Sequence, residues 1–184
     1  MSHEIRRKGG EDEPRALTMR SLEFFRSRGD KDFMEIDLKH PANSGILSYL
    51  SRGEAAALPP TRPPEAIQHA YYTLGSHPDI VERIWDQLSK ALPANARCVV
   101  YRTPALVHPR GIVLATALGT SYGLRVPKSL MGDARKAGAK TSHTYGGGFT
   151  LDLEKEFGPD WIFGGWFKEE ETWCRAAYDS FGGE

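Results

Sequence analysis

The stretch "GIVLATALGTSYGLRVP", Gly111 to Pro127, joins two β-rich halves at Gly119-Thr120. Glycine at the first central position is what a type II′ turn requires, and this turn closes a two-residue β-hairpin. The turn sets a register that pairs Leu118 with Ser121, Ala117 with Tyr122, Ala115 with Leu124 and Val113 with Val126. The last three pairs put all six of their side chains on one apolar face. We therefore predict an antiparallel hairpin here.

The same stretch contains "GTSYG", Gly119 to Gly123, which fits the G-x-S-x-G pattern of serine hydrolases. In those enzymes the serine lies on a sharp turn between a strand and a helix. Here the residues after the turn alternate like a strand and reach Pro127. In the usual order of acid and histidine after the serine, the candidates are Asp133 and His143. We predict that Ser121 is a hairpin residue and not a nucleophile.

Three further β-rich stretches surround this hairpin. They are "RCVVYRTP" (97–104), "FTLDLE" (149–154) and "WIFGGWF" (161–167). With the hairpin they predict an antiparallel β-meander over about residues 97–167, and an α+β fold.

Two amphipathic helices are expected to cover the meander, over residues 77–92 and 169–181. Ser76 is a candidate N-cap of the first helix, whose apolar face comprises Ile80, Val81, Ile84, Trp85 and Leu88. Acidic residues 169–171 suit the positive N-terminal end of the second helix. Its apolar stripe comprises Trp173, Ala176, Ala177 and Phe181.

The N-terminal part is expected to be a flexible tail over residues 1–14, followed by a helical arm over about 15–75. Together with a sheet-rich part over about 76–184, the arm forms one α+β domain from residue 15 to 184. Within the arm we predict helices at 15–25, 44–53 and 65–74. We also predict a half-buried strand at "FMEIDLK" (33–39) and a stiff spacer at "LPPTRPPE" (58–65).

Charge is unevenly distributed, although the formal net charge is +0. Residues 93–149 contain eight basic residues and one acidic residue, a net charge of +7. Residues 150–184 contain three basic and nine acidic residues, a net charge of −6. Such segregation is typical of a protein that binds an anionic ligand or a charged partner. It is also expected where two oppositely charged segments neutralise each other within the fold.

Several classes of protein are not indicated. No stretch approaches the ~18–20 apolar residues of a membrane helix, and no pair among the six histidines has metal-ligand spacing. Only Cys98 and Cys174 are present, which fits reduced thiols and a cytoplasmic protein. We therefore expect no membrane association, no metal and no cofactor.

The most unusual stretch is "KTSHTYGGGFTLD" (140–152). Its three glycines, Gly146, Gly147 and Gly148, predict either a flexible loop or an anion-binding concavity formed by backbone N–H groups. Lys140 and His143 would then contribute charge, with Arg125 and Lys128 as clamps. His143 is also the candidate general base, because its pKa range suits proton transfer near neutral pH.

Three functions follow from these patterns. The first is a non-catalytic accessory protein that binds another macromolecule, most simply a protein, through charged surfaces. The second is an enzyme or sensor for a small anionic, phosphate-containing ligand near Gly146–Gly148. The third, less favoured, is nucleic-acid binding through the basic segment 93–149.

Overall fold

The computed structural model describes residues 35–64, 76–93 and 97–182. The predicted tail, the helix at 15–25 and the helix at 65–74 lie outside these residues. Elsewhere the chain forms five short α-helices: α1 (Ser44–Leu50), α2 (Pro78–Glu82), α3 (Met131–Lys136), α4 (Leu153–Glu156) and α5 (Glu170–Ser180). Helix α2 continues as a π-helical turn (Arg83–Gln87) and a 3-10 turn (Leu88–Ala91). Further 3-10 turns are Pro41–Asn43, Gly53–Ala57 and Lys128–Leu130.

Six of the eight strands in the described residues form one sheet. They are β1 (Thr61–Arg62), β2 (Arg97–Val100), β3 (Thr103–Val107), β4 (Val113–Leu118), β5 (Ser121–Arg125) and β8 (Trp161–Phe163), in that spatial order. Every neighbouring pair is antiparallel. The predicted α+β meander is confirmed. Strands β6 (Ser142–Thr144) and β7 (Thr150–Asp152) form a separate hairpin.

The hairpin of β4 and β5 has the predicted register. Leu118 pairs with Ser121, Ala117 with Tyr122 and Ala115 with Leu124. The φ angle is +71° at Gly119 and is not positive at Thr120, which is the pattern of a type II′ turn. Because a strand and not a helix follows the turn, Ser121 is a hairpin residue, as predicted.

The predicted apolar face is wrong at one position, Val113. Ala115, Ala117, Tyr122, Leu124 and Val126 share one core, but Val113 belongs to the core on the other face. The pairing shifts between Leu106 and Val107, so that Leu114 is an extra residue opposite β3. Such a β-bulge reverses the alternation beyond it, and both faces of β4 are buried in any case.

A hydrophobic core lies on each face of the sheet. The segment beginning with α2 packs with α5 on one face, where Ile84, Trp85 and Trp173 are buried. The two covering helices are thus confirmed. The first begins one residue later than predicted: His77, not Ser76, is the N-cap, and its Nδ1 accepts the N–H of Asp79.

The other core is covered by α1 and α4. Ile46 and Leu47 of α1 and Leu153 of α4 pack there with Trp161 of β8. Buried Asn43 fastens this layer to the sheet, because its amide donates to the carbonyl oxygens of Asp37 and Gly111 (both 2.8 Å). The helix predicted at 44–53 is present as α1, which ends earlier than predicted, at Leu50.

Several predicted strands differ from the structure. Residues 35–39 contain no strand: Ile36 is buried, but Leu38 is 52% exposed in a turn. The stretch 97–104 is two strands, since Tyr101 and Arg102 have positive φ and form a turn. The predicted spacer 58–65, described up to residue 64, is not only a connector, because Thr61–Arg62 pair with β2. Within 149–154 the strand β7 ends at Asp152, and α4 begins at Leu153.

Strand β8 also ends earlier than predicted, at Phe163. A Cβ atom on Gly164 would overlap the ring of Tyr122, so that this position requires glycine. The chain then leaves the sheet and runs as an irregular segment, Gly164–Phe167, to α5. This segment forms one side of the candidate site.

Candidate functional site

A cleft of about 240 Å³ opens beside the end of β8. It lies where β5 begins, where the chain leaves α3, and where Gly164–Phe167 leaves the sheet. Its lining comprises Ser121, Gly138, Lys140, Ser142, His143, Phe163, Gly164, Gly165 and Phe167. The three glycines contribute no side chain to fill the space, and they keep the cleft open.

Lys140 is fixed in the cleft through its backbone. The N–H of Phe163 donates to the carbonyl oxygen of Lys140 (2.8 Å), an isolated antiparallel bridge that extends the edge of the sheet. The side chain of Lys140 is exposed and makes no ion pair with any described residue. Its ammonium group is therefore a free positive charge at the cleft.

His143 lies on β6 at the same cleft. Its ring centroid is 5.6 Å from that of Phe163 and 4.5 Å from that of Tyr145. Tyr145 in turn donates its hydroxyl hydrogen to the carbonyl oxygen of Leu118 (3.2 Å), which ties the β6–β7 hairpin to the sheet. The imidazole of His143 is exposed and can contact a ligand in the cleft.

A buried polar network holds the segment Gly164–Phe167. The N–H of Gly165 donates to Oε2 of Glu170 (3.0 Å), and the N–H of Trp166 donates to the hydroxyl of Tyr122 (2.8 Å). The Tyr122 hydroxyl donates to Oε1 of Glu170 (2.5 Å), which also accepts from Arg83 (2.9 Å). We call Arg83, Tyr122 and Glu170 the buried triad.

The charges of the buried triad compensate each other away from water. Glu170 is 0% exposed, and a lone carboxylate there would be strongly unfavourable without the Arg83 guanidinium. Burial raises the pKa of Tyr122, and the hydrogen bond and charge of Glu170 raise it further. Burial lowers the pKa of Arg83, but Glu170 and Tyr122 together raise it by more. The hydroxyl and the guanidinium therefore remain protonated as donors to Glu170.

Trp166 shows that this segment is strained. Its φ is +53°, a conformation that costs a non-glycine residue about 1–3 kcal/mol. The indole ring is half exposed and contacts the Tyr122 ring edge to face at 4.9 Å. The strain persists because the buried triad fixes the backbone on both sides of Trp166. Strain of this kind clusters at binding and active sites.

The electrostatics of the cleft favour an anion. Its side chains offer an ammonium, an imidazole and two hydroxyl groups as donors. Within the described ranges, none of its lining residues carries a carboxylate. Phe163 and Phe167 add two aromatic walls. The arrangement can therefore hold a negatively charged group against an apolar surface.

The structure brings together only two of the predicted site residues, Lys140 and His143. Gly146, Gly147 and Gly148 form the tip of the β6–β7 hairpin and do not line the cleft. The N–H of Gly148 is occupied by the carbonyl oxygen of Tyr145 (3.1 Å), as in an ordinary hairpin turn.

The two predicted clamps lie elsewhere. Lys128 is exposed on the 3-10 turn before α3 and does not line the cleft. Arg125 is buried and bound on three sides: it donates to Asp160 (2.6 Å) and to the carbonyl oxygens of Val113 (2.8 Å) and Ala42 (2.9 Å). Burial lowers its pKa and Asp160 partly offsets this. Arg125 fastens α1's layer to the sheet.

Sequence reasoning missed the buried triad and the glycine pair Gly164-Gly165. Glu170 is an acidic residue near the start of a helix, where a solvent-exposed position is the usual interpretation. Its partners are 48 and 87 residues away in the chain. The signal that could have found the site is the glycine pair, which interrupts the apolar stretch 161–167.

Both cysteine side chains are buried. Cys98 and Cys174 are fully buried free thiols; burial raises the pKa of both, to about 12 for Cys174. In the described part of the chain no three His, Cys, Asp or Glu residues are placed to hold a metal ion. The described helices are also too short or too polar to cross a membrane.

Comparison with known proteins adds no family to this geometry. No family model matches the chain, and neither a curated protein nor a solved structure shows significant similarity to it.

Proposed function

We propose that the protein binds a small organic anion in the cleft, with Lys140 as the counter-ion. The observation that carries this proposal is the free ammonium group of Lys140 in a concave site whose described lining has no carboxylate. An ammonium without a protein partner attracts an anion, and low-dielectric walls strengthen this attraction.

The rigid wall opposite Lys140 supports the proposal. The buried triad fixes Gly165 and Trp166 through two backbone hydrogen bonds before any ligand arrives. A pre-organised site loses less conformational entropy on binding, which increases affinity. The strained φ of Trp166 lies directly beside Gly165, which lines the cleft.

This proposal keeps the anionic ligand predicted from the sequence but moves its site from Gly146–Gly148 to the cleft. Nucleic-acid binding has less support, because Arg97, Arg125 and Arg135 of the basic segment are in ion pairs. We propose a cytoplasmic setting, which the two free thiols favour.

The test is thermal unfolding in the presence of sodium acetate, benzoate or phosphate, with sodium chloride at equal ionic strength as the reference. At least one anion should raise the Tm in a saturable way, with a stabilisation of roughly 2.7 kcal/mol at a hundredfold excess over Kd. Lys140→Ala should remove most of this stabilisation. Lys136→Ala is the matched control, because Lys136 is exposed on α3 and does not line the cleft.

Two results would contradict the proposal. One is a response to every anion that equals the response to chloride, since general screening does not saturate. The other is a saturable response that Lys140→Ala and Lys136→Ala leave equally intact.

A protein partner is a second proposal, favoured by two exposed aromatic side chains. Phe149 is 56% and Trp166 50% exposed, and exposed aromatic residues are enriched at protein interfaces. Ion pairs between the basic and acidic segments, Arg125–Asp160 and Arg135–Glu154, neutralise part of the charge segregation within the fold. A partner captured from the native host should be lost with Phe149→Ser and Trp166→Ser, and equal capture would reject this surface.

A further inference from the structure

We infer that the anion is a monoanionic carboxylate with a compact, flat apolar body. This inference rests on the proposed function, and it specifies which anion the cleft selects. Three features of the cleft carry it: its charge, its free donors and the position of its aromatic walls.

The charge of the cleft matches a single negative charge. In the part of the chain that the structure describes, Lys140 is the one lining side chain with a permanent charge. Phosphate sites instead present several backbone N–H groups or an arginine fork to a nearly dianionic group. Here the N–H groups of Gly164 and Gly165 already donate to Tyr122 and Glu170. With these backbone N–H groups occupied and one permanent positive charge, the cleft matches a singly charged carboxylate better than a nearly dianionic phosphate.

The apolar walls match a flat body. Phe163 is largely buried and presents its remaining surface to the cleft, whereas Phe167 is half buried. A Cβ on Gly165 would lie 2.9 Å from the Phe167 ring, so that glycine lets this ring fold back along the wall. Phe163 belongs to the core on one face of the sheet and Phe167 packs against the core on the other, so that the cleft at the sheet edge is lined by one aromatic ring from each side. An aromatic ligand there can make the offset or edge-to-face contacts that aromatic pairs prefer.

The charge and an aromatic wall lie on the same side of the sheet edge. Lys140 and Phe163 are directly opposite each other in an antiparallel bridge. Side chains at such positions lie on the same face, with Cβ atoms roughly 5 Å apart. One ligand can therefore contact both side chains.

The volume of the cleft limits the size of the ligand. At about 240 Å³ the cleft is smaller than the roughly 300–1,000 Å³ of pockets that hold drug-sized ligands. A compact ligand such as benzoate therefore suits it better than a nucleotide.

The test is isothermal titration calorimetry of the full chain with benzoate, acetate, phosphate and neutral benzamide. Benzoate should bind at least tenfold more tightly than each of the other three. Lys140→Ala should weaken benzoate binding at least tenfold, and Lys136→Ala should leave it unchanged. Phe167→Leu should weaken benzoate binding without changing the weaker binding of acetate.

The outcomes separate the two proposals. If phosphate or acetate binds as tightly as benzoate and depends on Lys140, the inference is overturned and the anion-binding function stands. If benzamide equals benzoate, or if none of the anions binds, both are overturned. A Phe167→Leu variant that binds benzoate like the wild type overturns the flat apolar body alone, provided that its circular dichroism spectrum is native.

Discussion

Tyr122 connects three parts of the molecule through one hydroxyl group. This group donates to Glu170 of α5, accepts from the backbone of Trp166, and belongs to a side chain of strand β5, which lies between β4 and the edge strand β8. The Tyr122 ring also determines that residue 164 is glycine. At the scale of single residues, the shape of the cleft wall therefore depends on this tyrosine.

Tyr122→Phe should destabilise the protein by about 2–3 kcal/mol. The substitution removes a buried hydrogen bond to a charged group and leaves the partly buried N–H of Trp166 without its acceptor. The measurement is urea unfolding, combined with hydrogen exchange at the Trp166 amide, which should accelerate more than exchange in the core of β4.

Tyr178→Phe is the matched control. Tyr178 is also buried, but its hydroxyl makes no hydrogen bond with the described residues, so that its removal should cost less than about 0.5 kcal/mol. Equal effects of the two substitutions would show that the Tyr122 hydroxyl does not position the segment.

His108 should make stability depend on pH. It is 1% exposed; burial lowers its pKa, as does Arg110, while Gly182 and Asp179 oppose this. The unfolded chain then binds more protons than the folded one below the ordinary histidine pKa of about 6.5. Stability contributed by neutral His108 is therefore present above this pH and is lost as the pH falls below it, until the lower folded pKa is reached.

His108→Asn isolates this effect, because asparagine can still accept the N–H of residue 110 that Nδ1 of His108 now accepts (3.0 Å). Losing the ring contact with Tyr178 lowers stability at every pH. The difference in unfolding free energy between wild type and variant should shrink from pH 8 to pH 5. A difference that is constant over this range would show that His108 does not titrate as described.

At the scale of elements, the hairpin of β4 and β5 was the most predictable part of the fold. Its turn, its register and most of its apolar face depend on residues close together in the chain, where glycine at the first turn position and strict alternation act jointly. Val113 was placed on the wrong face because the bulge arises from pairing with β3, which local alternation does not reveal.

Gly119→Val should lower the free energy of unfolding by about 1–3 kcal/mol. The cause is backbone strain alone, because a Cβ at Gly119 would have no atom within 4 Å while its φ is +71°. Thr120→Val introduces the same side chain at the exposed neighbouring position, where φ is not positive, and should change stability by less than about 0.5 kcal/mol. Equal urea midpoints for the two variants would contradict the type II′ turn.

At the scale of the whole molecule, one sheet separates two cores and the cleft lies at its edge. The sheet and the two covering helices could be predicted, because periodicity is a local property of the sequence. The cleft could not, because it depends on contacts between β5, the α2 segment and α5 that join distant residues. Of the residues proposed from the sequence as a site, Lys140 and His143 line the cleft, whereas Gly146–Gly148 lie at the tip of the β6–β7 hairpin and do not.

The most direct test of anion binding in the cleft is a ¹H–¹⁵N NMR titration of the wild-type protein with benzoate. Binding there should produce saturable shifts with one common Kd at the amides of Ser121, Lys140, Ser142, Gly164 and Gly165. The amides of Gly146–Gly148 should shift much less. Shifts that are largest at Gly146–Gly148, or shifts that increase linearly with benzoate without saturation, would contradict binding in the cleft.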